Sequence, residues 1–218
     1  MRIVPSLFLI AFLASCSLQA KLTLDPSGSA MVETSFAVPG PTKTAWSHLR
    51  DLDPTLPADP LDPALLSSGL GGQARVTTTF EGTLLTFPIA DPKKFFPGWR
   101  NESGSWSLVL DRAAVRRLIS LTSWAGSPAV ESLLPAPEAK VTEADYRDLL
   151  VYLLGPDASE TAARKLVDDA TVQLTIVAPR PLKSAEGSRS FVGQTAVYRW
   201  PLIRMLTLER PIVLRLTF

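Results

Sequence analysis

One histidine, one cysteine and a few grouped acids and rings are the residues of this 218-residue sequence with chemistry beyond packing. His48 lies in His48-Leu-Arg-Asp51-Leu-Asp53, which puts a carboxylate within reach of the imidazole, as a Ser–His–Asp hydrolase requires. No G-x-S-x-G elbow accompanies the pair, and a solvated histidine at a helix end accounts for the same residues. Asp51, Asp53, Asp59 and Asp62 offer oxygens to calcium but lack the spacing and central glycine of an EF-type loop. Three of them begin Asp-Pro turns, which explains them without a metal. Gly69-Leu-Gly71-Gly72 is too short for a phosphate cradle. Phe95, Phe96, Trp99 and Trp106 cluster beside Lys93, Lys94 and Arg100. Such rings build either a glycan platform or protein hot spot, or a packed core with a cationic rim. Lys43 and Lys183 end two similar segments and would either grip an anionic headgroup or guard strand edges. No catalytic residue, metal or cofactor is expected from these patterns.

The cysteine has a more specific setting. Arg2 precedes an apolar run from Ile3 to Leu13, too short to span a bilayer, and small residues follow, as in a secretory signal peptide. Leu13-Ala14-Ser15-Cys16 then resembles the lipobox of bacterial lipoproteins. The resemblance implies acylation of the Cys16 thiol, cleavage just before it, and anchoring by acyl chains without a transmembrane helix. A plain secretory signal would instead leave a free thiol in an oxidising compartment. The expected organisation is a signal peptide over 1–15, a lipidated N-terminus and short tether over 16–21, and one domain over 22–218. Ser17 stands where the inner-membrane retention signal of these lipoproteins has Asp. The resemblance therefore implies the outer membrane in a cell with two.

Composition narrows the partners. Lys and Arg number 22 against 21 Asp and Glu, and 46% of residues are hydrophobic, which suits a folded domain and not a phosphate-tracking nucleic-acid binder. Cutting after residue 15 removes one cation, Arg2, and leaves 21 charges of each sign. A neutral chain gains little from anionic lipid, so the acyl chains must supply the anchoring. Nineteen prolines predict fixed turns and short elements.

The remaining elements follow from periodicity. Strands are expected around Leu22–Leu24, Ala30–Val38, Arg75–Phe80, Thr83–Phe87, Trp106–Leu110, Thr171–Ala178, Thr195–Trp200 and Ile212–Phe218. Ile212, Leu214, Leu216 and Phe218 alternate and should face inward. A short helix is expected after Pro63. Asp111 should cap a helix to Trp124, Thr142 with Asp145 a second to Leu154, and Asp157 with Glu160 a third to about Asp169.

An internal repeat runs through this plan. Residues 30–45 and 170–185 align without gaps at a constant spacing of 140, with Ala30/Ala170, Val32/Val172, Pro39/Pro179, Pro41/Pro181, Lys43/Lys183 and Ala45/Ala185 identical. With gaps, Phe80-Glu-Gly82 answers Phe191-Val-Gly193, and Phe87-Pro88-Ile89 answers Trp200-Pro201-Leu202. Strand edges closed by the same Pro-x-Pro chemistry would also look alike. The expected fold is α+β, a mainly antiparallel sheet from two similar strand-rich halves, about 30–110 and 170–218, with helices between them. The early strand after Cys16 and the late strand closing on Ala178-Pro179 resemble the LppM-type domain of bacterial lipoproteins, a likeness confined to the ends of the mature chain. It implies an envelope-facing domain. The expected function is a non-catalytic binding or structural role at the membrane, with an envelope protein, glycan or lipid as partner. The alternatives are an envelope hydrolase using the His48 region and a lipid carrier with an apolar cavity.

Overall fold

The computed structural model describes residues 17–36, 64, 67–68, 73–79, 82–120, 135–136, 138–154 and 159–218. Eleven strands and five helices are described end to end, and together they form an α+β fold. The strands are β1 (Ser17–Leu24), β2 (Ala30–Phe36), β3 (Arg75–Thr79), β4 (Gly82–Ile89), β5 (Arg100–Glu102), β6 (Ser105–Leu110), β7 (Thr171–Val177), β8 (Ser184–Glu186), β9 (Ser190–Val192), β10 (Thr195–Pro201) and β11 (Ile212–Thr217). The helices are α1 (Pro92–Phe95), α2 (Arg112–Ser120), α3 (Glu143–Leu154), α4 (Glu160–Asp169) and α5 (Leu202–Thr207). Ala64, Ser67 and Ser68 are helical too, where a short helix is expected after Pro63.

The single expected sheet is divided in two. A seven-stranded sheet runs β3-β4-β2-β1-β7-β10-β9, and a four-stranded sheet runs β5-β6-β11-β8. All pairings are antiparallel except β1 with β7. Alternation decides the inner faces. In the smaller sheet Trp106, Leu108 and Leu110 of β6 stand opposite Leu216, Leu214 and Ile212 of β11, and all six are buried. They share one core with Leu22, Leu24, Phe87, Ile89, Ile176, Ala196 and Tyr198 of the larger sheet. Each large apolar side chain so buried contributes about 1.5–3 kcal/mol.

The larger sheet is symmetric about β1. Outward on one side come β2, β4 and β3, and on the other β7, β10 and β9. Ala20 stands opposite Thr34 on one side and Leu174 on the other, residues 140 apart as in the gap-free alignment. The next pairing agrees as well. Val32 faces Phe87 and Val172 faces Trp200, so the match of Phe87 to Trp200 read from the sequence is also the match in register. In order, direction and register, β2 and β4 correspond to β7 and β10 as they would across a twofold axis through Ala20 normal to the sheet. In the smaller sheet β6 and β11 lie side by side and antiparallel, as such an axis requires.

Two expectations are corrected. Residues 17–21 are not a tether: they belong to β1, the middle strand of the larger sheet, because Leu18 and Ala20 continue the inward alternation of Leu22 and Leu24. The gapped match of Gly82 to Gly193 is two residues out, since Gly82 pairs with Thr79 and its counterpart in register is Thr195, which pairs with Val192.

The helices begin where side chains can cap them. Asp111 accepts from the Ala114 N–H at 2.7 Å. Thr142 and Asp145 form the expected box, the Asp145 N–H donating to Thr142 Oγ1 at 3.1 Å. Ser159 caps α4, accepting from the Ala162 N–H at 3.3 Å. Asp157 and residues 121–124 of the first expected helix lie outside the described residues.

Candidate functional site

The aromatic segment after β4 is the first candidate to place. Ile89 ends β4, and Asp91 then caps the one-turn α1, accepting from the Lys93 N–H at 3.2 Å. Pro92 occupies the first helical position, where its missing N–H costs nothing. The chain turns inward at once: the Trp99 N–H donates to the Phe96 carbonyl at 2.8 Å. Phe96 and Trp99 are buried, and Trp99 meets Trp106 edge-on with centroids 5.0 Å apart. Gly98 allows this close approach, since a Cβ there would lie 2.7 Å from the Val109 Cβ. Phe96 and Trp99 thus plug the end of the core, and exposed Lys93, Lys94 and Arg100 rim it. The Phe95 backbone belongs to α1, while its side chain lies outside the described residues.

The other candidates separate. Cys16, Lys43, His48, Asp51, Asp53, Asp59 and Asp62 all lie outside the described residues. Lys183 is exposed, and its N–H donates to the Thr217 carbonyl at 2.8 Å. The strands leading to the two Pro-x-Pro corners finish at opposite ends of the sheet. Ser35 of β2 lies level with Gln19, near the start of β1, whereas Val177 of β7 lies level with Thr23, near its finish. Among the described residues no group of three or more His, Cys, Asp or Glu is placed to hold a metal.

Two features were not visible in the sequence. The first is a cleft of about 490 Å³ beside Asp111, Arg112, Lys140, Thr142, Leu208 and Glu209. Its floor is organised by Arg112, whose Nε donates to the Thr207 carbonyl at 2.6 Å. The same guanidinium donates to the carbonyls of Ala136, Ala139 and Val141, tying the approach to α3 against the end of α5. Leu208, at φ +39°, turns the chain out of α5 toward β11. The acids here do structural work. Asp111 caps α2, and Asp145 is held below the usual carboxylate range by hydrogen bonds from the Thr142 side chain and backbone. Arg112 acts as a clamp, and sequence gives no sign of it because its acceptors are backbone carbonyls.

The second is a buried polar pair in the core. Tyr198 lies 1% exposed, stacked on Trp200 at 5.6 Å, and its hydroxyl has no hydrogen-bond partner among the described residues. Burial, with a smaller effect from Glu186, pushes its phenol up to about 12. Trp106 Nε1 is likewise buried without a partner among the described residues. Two donors in an apolar core weaken it unless each is satisfied. Neither is a candidate base, since the phenol stays protonated at neutral pH.

No protein-family model and no curated protein matches the sequence. Among solved structures the chain is similar to the folded domain of LppM from Mycobacterium tuberculosis, determined by NMR, at 11% identity and a TM-score of 0.42. The similarity covers 92% of this chain and 86% of that one.

Proposed function

We propose that this chain is a lipid-anchored protein of the bacterial cell envelope, whose folded domain binds or scaffolds a partner at the membrane surface without catalysing a reaction. The observation that carries the reading is the position of the sequence's one cysteine. Cys16 closes the lipobox Leu13-Ala14-Ser15-Cys16, and the next residue, Ser17, opens the central strand of the sheet. A lipobox cut at that point leaves a mature chain that folds from its second residue onward. The non-catalytic part is supported by the occupation of the described acids. Asp91 and Asp111 cap helices, the Asp145 carboxylate accepts from the Thr142 hydroxyl at 2.7 Å, Glu33 pairs with Lys21 at 2.7 Å, and Asp168 pairs with Arg147 at 2.8 Å. The partner is an envelope protein, a glycan or a lipid, and with Ser17 after the cysteine the outer membrane is the favoured site in a two-membrane cell.

Metabolic labelling with radioactive palmitate tests the anchor. The wild-type chain is expected to take up label and fractionate with membranes, and Cys16→Ala to lose both properties while remaining folded. Full labelling of Cys16→Ala, or release of the wild-type chain as soluble protein, would overturn the proposal. Cross-linking in native membranes followed by mass spectrometry then reads the partner. Turnover of an ester or glycan substrate by the purified domain, abolished by His48→Ala, would replace the binding role with an enzymatic one.

A further inference from the structure

We infer that the domain stands upright on the bilayer, contacting the lipid headgroups with the end of the larger sheet at which β1 begins. The inference rests on lipidation of Cys16 and goes on to name the surface and its occupant. Consecutive Cα atoms lie about 3.8 Å apart. With Ser17 already paired to Thr171 in the sheet, the acylated residue has one peptide unit of freedom and no tether. A domain held by its central strand at this distance cannot reach away from the surface, and the end of the sheet at which β1 begins is the part drawn to the headgroups.

The topology then decides which residues face the lipid. Thr171 and Pro201 share the row of Ser17, and α5 starts immediately after Pro201. Ser35 and Leu84 share the row of Gln19. This end exposes Arg199, Pro201 and Arg204, and Leu84 is 42% exposed. It also carries the last residues of α4, where Asp168 is paired with Arg147 and Asp169 is exposed. Among the described residues two arginines, a leucine, a proline and an exposed acid make this end a surface of mixed charge, which fits a zwitterionic headgroup layer better than a strongly anionic one. At about 3.3 Å per residue, β1 carries the opposite end roughly 25 Å from the surface. There lie the Asp25–Ser29 turn and, just beyond β4, helix α1 with Lys93 and Lys94. That remote end is the face open to a partner in solution.

Depth measurement tests this. The full-length protein, purified from membranes in its lipidated form, is reconstituted in phosphatidylcholine–phosphatidylethanolamine vesicles containing a nitroxide-headgroup lipid. With Cys16 acylated there is no other thiol, so Ser35→Cys or Lys93→Cys places a single fluorophore. Nitroxide quenching is expected to be at least about threefold stronger at position 35 than at 93, judged against the steep distance dependence over a strand length. Leu84→Cys supplies a second near-surface label should Ser35→Cys fold poorly. Equal quenching at both ends, or stronger quenching at 93, would overturn the upright orientation. Mass spectrometry of the N-terminal peptide keeps the two readings apart. Acylated Cys16 with equal quenching removes only the orientation, whereas an unmodified Cys16 removes the anchor and the orientation with it.

Discussion

Phe87 and Trp200 stand at matched register positions in the two halves of the larger sheet, 8% and 9% exposed, yet the ends of their strands are finished differently. Beyond β4 the chain makes one turn of helix and plugs the core with Phe96 and Trp99. Beyond β10 it makes α5, which packs with α3 and α4 around Tyr146, Leu150, Val151, Ala163, Val167, Leu202 and Ile203. The consequence reaches back into the sheet. Val172 is 5% exposed near the helices, while its counterpart Val32 is only half-buried. Strand register is shared between the halves, and what covers the strand ends is free to differ. Register depends on alternate side chains meeting one common core, while an end needs only some apolar cover.

The comparison can be broken outright at its centre. Ala20→Pro removes an N–H from the strand that both halves share, and a central strand tolerates this poorly. Cooperative thermal unfolding followed by circular dichroism should disappear. A sharp transition within a few degrees of wild type would mean that β6 and β11 alone hold the halves together. Phe87→Ala and Trp200→Ala then sharpen the comparison. Each should cost about 3–5 kcal/mol in urea unfolding, and the two values should agree within about 1 kcal/mol if register equivalence is also energetic equivalence. A larger gap would confine the symmetry to geometry.

The plug of the first half is tested by Gly98→Ala, whose new Cβ would meet Val109 at 2.7 Å. A loss of about 1–3 kcal/mol is expected from overpacking, and no loss would show that the plug can shift. The helical cover of the second half answers most gently. Ser159→Ala should cost about 1 kcal/mol and raise amide exchange in α4 before it does so in β4. Asp145 adds a pH signature to the same half. Its pKa lies below the ordinary 3.8, so its contribution is whole above that value and is lost as pH falls through the lowered one. Thr142→Ala should flatten that acid limb, and an unchanged limb would remove the box from the account.

Much of this arrangement was readable because the repeat carries it. The identities at Val32/Val172 and Pro39/Pro179 located equivalent strands, and Phe87-Pro88 against Trp200-Pro201 located their partners. Phe80-Glu-Gly82 misled, since a glycine near a hairpin turn can stand at either of several positions in it. The start of β1 was missed because it adjoins Cys16, where a tether is expected, although Leu18, Ala20, Leu22 and Leu24 alternate with Gln19, Lys21 and Thr23 as a strand does. Helix α5 escaped notice because Pro201 reads as a stop, although it is also a good residue before a first turn. Strands β8 and β9 are three residues each, too short for any period. Of the residues considered for a site, Phe96 and Trp99 are core by geometry, and the rings themselves carried no sign of which way they would point.

A strand lying on a twofold axis faces a problem that its neighbours do not. It has a direction, so it must run with one flank and against the other, which is why a single parallel pairing sits in this sheet. Its side chains, though, must suit two equivalent flanks at once, and the sequence of β1 shows how. Leu18-Gln19-Ala20-Lys21-Leu22 is nearly a palindrome: leucines stand two places either side of Ala20, Leu22 buried in the core and Leu18 half-buried, and long polar residues one place either side stay out. Read forwards or backwards, the strand presents the same pattern to its surroundings.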